Sequence, residues 1–324
     1  LILITFAINT TKATLTRNPE IMKRLIALRY IWMPDGDGNP ILVDLHEPVD
    51  DVNFSGRAGG QNQYWLFTRR NPTNRQVLVQ GNVNSVRNSF YAGNRATKFV
   101  VHGWNSNGGS LSQIVAAFLA QCDCNVIAVD WSRVAGQSYS AAVRDVPSVG
   151  RYIGNFITWL FNTGGGNFAN LHLVGHSLGA HVVGNCGRHI GRRARRVTGL
   201  DPAGPQWGGN ANALNANSGG YVEAIHTDGR ALGIFNPIAH ADFYPNGGMN
   251  PQPGCVSGIC SHGRANDLFA ASVRYNRLVG RRCISTHEAQ LATCNGAALH
   301  MGNNVMSKSG NGLFGLRTGR AWPF

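Results

Sequence analysis

A serine between two glycines is the residue of this chain with the clearest chemical potential. An apolar run at residues 171–174 leads into Gly175-His-Ser-Leu-Gly179, and a helix-like pattern of small residues follows. This order is typical of a nucleophile elbow, a sharp strand-to-helix turn that holds its serine in a strained conformation. Glycines at both ends let the strand and the helix approach closely. The motif predicts Ser177 as a nucleophile; the alternative is an ordinary turn in a chain with 41 glycines.

A serine hydroxyl needs a base to take its proton and a carboxylate to orient that base. Behind an elbow of this kind, the chain order is serine, acid, histidine. Asp201 is the first acid after Ser177 and ends an apolar run, so we predict it as the orienting acid, with a plain Asp-Pro turn as the alternative. For the base, the residues alone place His262, expected in a loop, only slightly ahead of His240. The other downstream candidates are His226, His287 and His300.

The elements that must position these groups alternate along the chain. Strands are predicted at 63–67, 76–79, 97–102, 125–129 and 196–200, and helices at 110–121, 148–162 and 265–274. The central apolar runs lack the alternation of a half-exposed strand, which favours a mainly parallel sheet covered on both faces. Active groups gather at the carboxyl ends of such strands. Ser177 and Asp201 each follow an apolar run, so the pattern predicts an α/β fold with both at one edge.

The charge balance is strongly basic. Lys and Arg number 29 against 16 acidic residues, which gives a net charge of +13 and a pI near 9.9, and 25 of the 29 are arginines. Because guanidinium stays charged at high pH, one hypothesis is an alkaline setting such as a gut lumen; another is attraction to anionic lipid surfaces. The densest basic cluster, at residues 188–196, has no interleaved aromatic residues, so nucleic-acid binding is not expected.

The N-terminal residues indicate export. Residues 1–13 resemble part of a secretory signal peptide, with a buried first strand as the alternative. Residues 14–62 are expected to hold N-terminal strands and a removable pro-segment, and residues 63–324 to form the main domain. The seven cysteines contain no Cys-x-x-Cys pair, so a zinc or redox site is not expected. No apolar run is long enough to predict a transmembrane helix.

Taken together, the motifs resemble the animal pancreatic-lipase family of the α/β-hydrolase superfamily, and in particular its short insect lipases and phospholipases A1. The resemblance extends from about residue 29 onward and is carried by segments 99–104 (FVVHGW), 129–132 (VDWS), 175–181 (GHSLGAH), 199–205 (GLDPAGP), 225–228 (IHTD), 242–248 (DFYPNGG), 252–255 (QPGC) and 260–265 (CSHGRA). It implies the α/β-hydrolase fold and a triad of Ser177, Asp201 and His262. It also implies an oxyanion hole formed by the backbone N–H groups of Trp104 and Leu178.

The family pattern also predicts disulfides Cys255–Cys260 and Cys283–Cys294, while the pairing of Cys122, Cys124 and Cys186 stays open. The first disulfide encloses only four residues, where classical members carry a long lid. Four residues cannot form a covering helix, so we expect an uncovered catalytic groove and little interfacial activation. Residues expected to line the acyl site are Leu232, Ile234, Phe235 and Ile238.

Other departures concern ions and partners. The family's calcium-binding stretch corresponds to residues 210–220, which lack a carboxylate, so we expect no metal and no cofactor. Only about 60 residues follow His262. We therefore expect no C-terminal β-sandwich of the pancreatic type, and no colipase partner.

The expected function is that of a secreted hydrolase of lipid esters at micelle or membrane surfaces, either a phospholipase A1 or a triacylglycerol lipase. The alternative is a non-catalytic lipid-binding or storage protein on the same fold, like the yolk relatives of the family. The filled triad positions favour the enzyme. The sequence predicts neither the acyl-chain preference nor the oligomeric state.

Overall fold

The computed structural model describes residues 29–35, 38–49 and 58–324. The predicted signal peptide and much of the predicted pro-segment lie outside these residues. The described strands are β1 (Tyr30–Pro34), β2 (Pro40–Asp44), β3 (Gln63–Phe67), β4 (Gln76–Leu78), β5 (Thr97–Val101), β6 (Asn125–Asp130), β7 (Leu171–His176), β8 (Arg196–Leu200), β9 (Val222–Ile225), β10 (Ala241–Pro245), β11 (Val279–Cys283), β12 (Ala298–His300) and β13 (Gly312–Leu316). The α-helices are α1 (Val83–Arg87), α2 (Ser112–Gln121), α3 (Ser132–Ala135), α4 (Tyr139–Gly164), α5 (Leu178–His189), α6 (Gly258–Tyr275) and α7 (Thr286–Leu291).

Most strands form one 11-stranded sheet in the order β12-β11-β13-β10-β9-β8-β7-β5-β6-β3-β4. The strands from β13 to β6 in this order are parallel. Antiparallel pairs close both edges, with β3 and β4 on one side and β11 and β12 on the other. The predicted α/β-hydrolase fold with a mainly parallel sheet is confirmed.

Helices cover both faces of this sheet. Successive residues of β5 point to opposite faces, so Phe99 and Val101 pack in the core beneath α4 and α5 while Val100 packs beneath α2 and α6. Every residue of β5 and of β8 is buried. This two-sided burial explains why the central strands read as continuous apolar runs. No helix in the described part of the chain is long and apolar enough to cross a bilayer.

Two helices begin earlier than predicted. Helix α4 starts at Tyr139 and contains Pro147, although proline removes a backbone donor and normally ends a helix. The prediction therefore began after that proline, whereas Ser138 caps the longer helix by accepting from the Ala141 N–H at 3.4 Å. Helix α6 starts at Gly258, so the prediction that His262 lies in a loop is wrong.

The cysteines form three disulfides among the described residues. Cys255–Cys260 and Cys283–Cys294 are present as the family resemblance implies. Cys122 pairs with Cys124, which the sequence left open. Cys186 is free and buried in α5, where it packs as a small apolar side chain.

Basic side chains line up inside the protein at the amino ends of the central strands. Lys98, His172 and Arg196 are direct cross-strand neighbours on β5, β7 and β8, and each is at most 1% exposed. Glu223 accepts hydrogen bonds from Arg196 and from Lys308. By contrast, Lys98 Nζ donates to the thioether sulfur of Met306 at 2.9 Å, its hydrogen-bond acceptor among the described residues. Lys98 is therefore buried without a carboxylate of its own.

This burial makes stability depend on pH. Burial, followed by the charge of Arg196, lowers the pKa of Lys98 to about 7. Between pH 7 and about 10 the unfolded chain keeps this proton whereas the folded chain releases it, so the free energy of unfolding rises with pH. Burial also lowers the pKa of Lys308, to about 8, which acts in the same direction.

We predict that Lys98→Met stabilises the protein by a few kcal/mol at pH 6, since each unit of lowered pKa corresponds to about 1.4 kcal/mol. The gain should shrink steadily as the pH rises from 7 to 10, and it vanishes only above the ordinary lysine pKa of about 10.4, where the lysine is neutral in both states. Urea unfolding at pH 6, 8 and 10 measures this. Arg317→Met removes an exposed charge and serves as the control. An unchanged pH dependence in Lys98→Met would contradict the prediction.

Candidate active site

The elbow at Ser177 has the geometry that its sequence predicts. Ser177 lies between β7 and α5 with φ 57° and ψ −123°, a strained conformation for a residue with a side chain. Its N–H donates to the Leu200 carbonyl at 3.0 Å, which ties the turn to the end of β8. A Cβ on Gly175 would lie 2.1 Å from the Gly179 oxygen, and one on Gly179 would lie 2.3 Å from the Val101 oxygen. Both positions therefore require glycine.

We predict that Gly179→Ala lowers the free energy of unfolding by at least about 3 kcal/mol, because backbone must move to admit the methyl group. Gly263→Ala is the matched control. Gly263 lies in α6, and beyond its chain neighbours and the backbone of its own helix no described atom lies within 4 Å of the position that an added methyl group would take. Alanine there should therefore stabilise the helix by about 1 kcal/mol. Denaturant unfolding of both variants checks the contrast, and equal effects would refute it.

Asp201 and His262 form a buried hydrogen-bonded pair. His262 Nδ1 lies 2.6 Å from Asp201 Oδ2. The other carboxylate oxygen, Oδ1, accepts the N–H groups of Thr227 at 2.7 Å and Asp228 at 3.1 Å. These bonds fix the carboxylate, and its contact with Nδ1 in turn orients the His262 imidazole. His262 and Ser177 line the same cavity.

The other candidate histidines have different surroundings. His226 pairs with Asp242 at 2.9 Å and stacks on a tyrosine in the core. His240 Nδ1 accepts the Val222 N–H at 3.0 Å. His287 and His300 are exposed on α7 and β12. Of the five candidates, the structure brings His262 to Asp201 and Ser177.

The loop after β5 passes beside Ser177. Trp104 lines the cavity with Ser177, and a Cβ on Gly103 would lie 2.9 Å from the Ser177 Cβ. The Trp104 indole donates to the Gln137 carbonyl at 2.8 Å, which holds the loop in place. Leu178 begins α5, and the first N–H groups of a helix lack intrahelical acceptors. Trp104 and Leu178, the residues whose N–H groups are the predicted oxyanion donors, therefore both lie beside Ser177.

The sequence did not single out His176, which directly precedes Ser177. Its ring centroid lies 4.6 Å from that of His262, and its Nε2 is 3.2 Å from the His262 carbonyl oxygen. Burial, then the neighbouring His262, lowers the pKa of His176 to about 3. His176 thus stays neutral and adds no second positive charge beside His262. Its position inside the elbow motif was the sequence feature that could have identified it.

Asp228 is the second residue that the sequence did not single out. It is fully buried, and its carboxylate accepts the Leu232 N–H at 3.1 Å and the Asn250 side-chain amide at 2.6 Å. Burial, then the charge of Asp201, raises the pKa of Asp228 to about 6. Its backbone N–H donates to Asp201, so this loop residue helps to orient the acid. The segment IHTD that contains it was the available signal.

The cavity over Ser177 is small. It measures about 20 Å³, and besides Ser177, His262 and Trp104 its lining consists of Met33, Pro34, Tyr139, Ala203 and Leu232. Such a volume holds about one water molecule. A groove of about 210 Å³ reaches Ser177 from another side. The expectation of an uncovered catalytic groove stays a prediction: β1 narrows the space on one side of Ser177, while the larger groove reaches Ser177 as well.

The predicted acyl-site residues are divided between two cavities. Leu232 lines the small cavity over Ser177. Ile234, Phe235 and Ile238 line a neighbouring groove of about 950 Å³. Since Leu232 and Ile234 are only two residues apart, the two spaces adjoin along one segment of chain.

The stretch at residues 210–220 is occupied by contacts within the protein. Arg188 donates to the Asn212 and Ala213 carbonyls at 2.9 and 3.0 Å, and to the Ser218 hydroxyl at 2.9 Å. Elsewhere, Cys283, Glu288 and Cys294 lie close enough together to suggest a metal site. The two cysteines are joined in a disulfide, so neither offers a thiolate.

Comparison with known proteins agrees with this geometry. The family model described as Lipase matches residues 35–309. Mouse phospholipase A1 member A is 33% identical over 259 residues, covering 75% of this chain and 56% of the relative. Lipase member H of Danio rerio is 33% identical, covering 78% and 60%. Bovine pancreatic lipase-related protein 2 is 33% identical, covering 71% and 55%.

The chain thus spans little more than half the length of these curated relatives. The family match covers most of the chain and includes the elbow, the buried Asp201–His262 pair and the loop beside Ser177. The protein therefore belongs to the lipase family, that of the pancreatic lipases.

Proposed function

We propose that this protein is a serine carboxylic-ester hydrolase that acts on lipid esters, with Ser177 as nucleophile, His262 as base and Asp201 as orienting acid. The observation that carries the proposal is the 2.6 Å contact between His262 Nδ1 and Asp201 Oδ2, beside a serine held at positive φ in the same cavity. That set of groups performs acyl transfer on several unrelated folds.

The reaction has two halves. His262 Nε2 takes the proton from the Ser177 hydroxyl as the oxygen attacks the ester carbonyl. The oxyanion accepts hydrogen bonds from the N–H groups of Trp104 and Leu178, each contributing on the order of 3 kcal/mol to transition-state stabilisation. The imidazolium, held by Asp201, protonates the leaving alcohol. Water then attacks the acyl-enzyme by the same route, so the mechanism needs no cofactor.

The proposed substrate class is inferred from the apolar residues beside the catalytic cavity rather than from the triad. The groove beside the catalytic cavity is lined by Ile234, Phe235 and Ile238, which suit an acyl chain. Relatives include proteins named phospholipase A1 and pancreatic lipase-related protein. Phospholipid hydrolysis and triacylglycerol hydrolysis are therefore the two candidate activities. Release of fatty acid from the sn-1 position of phosphatidylcholine, measured against triolein, separates them. Inert phospholipid with rapid triolein turnover would favour the neutral-lipid lipase.

The proposed setting is extracellular. Three disulfides among the described residues favour an oxidising compartment. The excess of arginine favours contact with anionic micelle or membrane surfaces. The rise of stability above pH 7, expected from Lys98, suits an alkaline fluid such as a gut lumen.

We predict that Ser177→Ala abolishes ester hydrolysis and that Asp201→Asn lowers kcat by about four orders of magnitude, because the amide favours the wrong tautomer of His262. Asp242→Asn is the matched control, since Asp242 forms a second buried pair with a histidine, His226. It should retain kcat within about threefold while losing stability. Steady-state kinetics on a soluble ester measure all three variants. Wild-type protein that binds lipid without hydrolysing any ester would contradict the proposal.

A further inference from the structure

A separate cavity of about 530 Å³ lies between the β3–β4 edge of the sheet and helix α2. Its walls come from β3, the turn before β4, the loop before α2 and the first turns of α2. This edge cavity shares no lining residue with the cavity over Ser177 or with the two grooves beside it. Its volume is that of an ordinary ligand site, about 300–1,000 Å³. The proposed hydrolysis makes no use of this space.

The walls of the edge cavity are mainly apolar. Trp65 and Phe67 lie on the same side of β3, because alternate residues of a strand share a face. Val115 of α2 and Pro72 of the turn also line the space. The Trp65 indole N–H already donates to Gln63 Oε1 at 2.9 Å, so its ring offers a ligand apolar surface. Such walls suit an alkyl chain.

A cation stands at the wall of this cavity. The guanidinium carbon of Arg75 lies 3.9 Å from the centroid of the Trp65 ring. No carboxylate lines the cavity, and none of the ion pairs among the described residues involves Arg75. A guanidinium over an aromatic face keeps the N–H groups at its edge available for a carboxylate. The edge cavity therefore combines apolar walls with an anion-binding group.

The edge cavity lies beside the loop that borders the catalytic site. Gly108 lines the edge cavity, while Ser106 and Ser110 of the same loop line the groove of about 210 Å³ that reaches Ser177. A Cβ on Gly108 would lie 2.7 Å from the Trp65 ring, so the loop packs directly on the cavity wall. A carboxylic acid released at Ser177 would leave its groove on the other side of this loop.

We propose that the edge cavity binds the anion of a fatty acid, with the alkyl chain against Trp65 and Val115 and the carboxylate at Arg75. Only the source of this ligand rests on the proposed lipid-ester hydrolysis, which releases such acids. A neutral alkyl ligand would leave Arg75 without a partner, and a short anion would leave the apolar walls in contact with water. The charge and the walls together therefore select an anion with a long chain.

The first test compares three monomeric probes by isothermal titration calorimetry on the full chain. We expect decanoate to bind and butanoate to bind about tenfold more weakly or worse, because it buries six fewer methylene groups. Decyltrimethylammonium has the same chain length with a positive charge, so it should not displace decanoate. Butanoate that binds as tightly as decanoate, or displacement of decanoate by the cation, would overturn the proposal.

The second test assigns the binding to the edge cavity. Arg75→Gln should weaken decanoate binding about fivefold, the upper range for an exposed ion pair. Arg70→Gln is the matched control, because Arg70 also lies over an aromatic ring, that of Phe90, but does not line the cavity. Ala116→Trp should fill the cavity and weaken binding about tenfold or more. Ala120→Trp, one turn further along α2 and outside the cavity, should bind like wild type.

Equal decanoate binding within either matched pair of variants would overturn the proposal, since decanoate would then lie elsewhere, for example in the groove at Ser177. Ester hydrolysis by the wild type is measured separately and keeps the two proposals apart. A chain that hydrolyses no ester but shows the expected binding differences would defeat the proposed function and support the edge cavity. Normal hydrolysis without those differences would do the reverse.

Discussion

The close approach of α5 to the central strands is the constraint on which the site depends. Gly179 faces the carbonyls of Val101 and His102 so closely that a methyl group would overlap them. Only this approach lets the chain turn through Ser177 at positive φ and place the start of α5 beneath the hydroxyl. The strain at Ser177 is then carried by a buried sheet rather than by a loop, which keeps this serine fixed.

The same sheet positions the other groups of the site. Asp201 follows β8, the strand beside β7, and its carboxylate is held by two backbone N–H groups as well as by His262. His262 lies in α6, which follows β9 and β10 in the chain. Burial and the neighbouring His262 keep His176 neutral by lowering its pKa, and the Asp228 N–H donates to the Asp201 carboxylate.

Local sequence patterns predicted those strands and turns whose structure depends on residues close together in the chain. Strands β3 and β8 have the predicted bounds, and Ser177 and Asp201 were recognised because each follows a buried strand. His262 could not be selected over His240 from the residues alone, since the choice depends on where α6 packs. The first turns of α4 were not predicted, because a proline such as Pro147 normally ends a helix. In the structure, buried side chains before and after Pro147 outweigh the loss of its one backbone donor.

The position of β1 beside the cleft was not predicted for a related reason. The short Cys255–Cys260 loop carried no information about β1, which packs beside Ser177 from more than a hundred residues away in sequence. The buried row of Lys98, His172 and Arg196 likewise arises only when β5, β7 and β8 align. Contacts between distant segments leave no periodicity in the sequence.

The nucleophilic role of Ser177 can be measured directly with a p-nitrophenyl alkylphosphonate, which transfers its phosphonyl group to an activated serine and releases nitrophenolate. We predict one nitrophenolate per protein molecule and a phosphonyl adduct, by peptide mass spectrometry, on the peptide that contains Ser177. Nitrophenolate release without an adduct at Ser177, or an adduct that persists in Ser177→Ala, would contradict the assignment of Ser177 as the nucleophile.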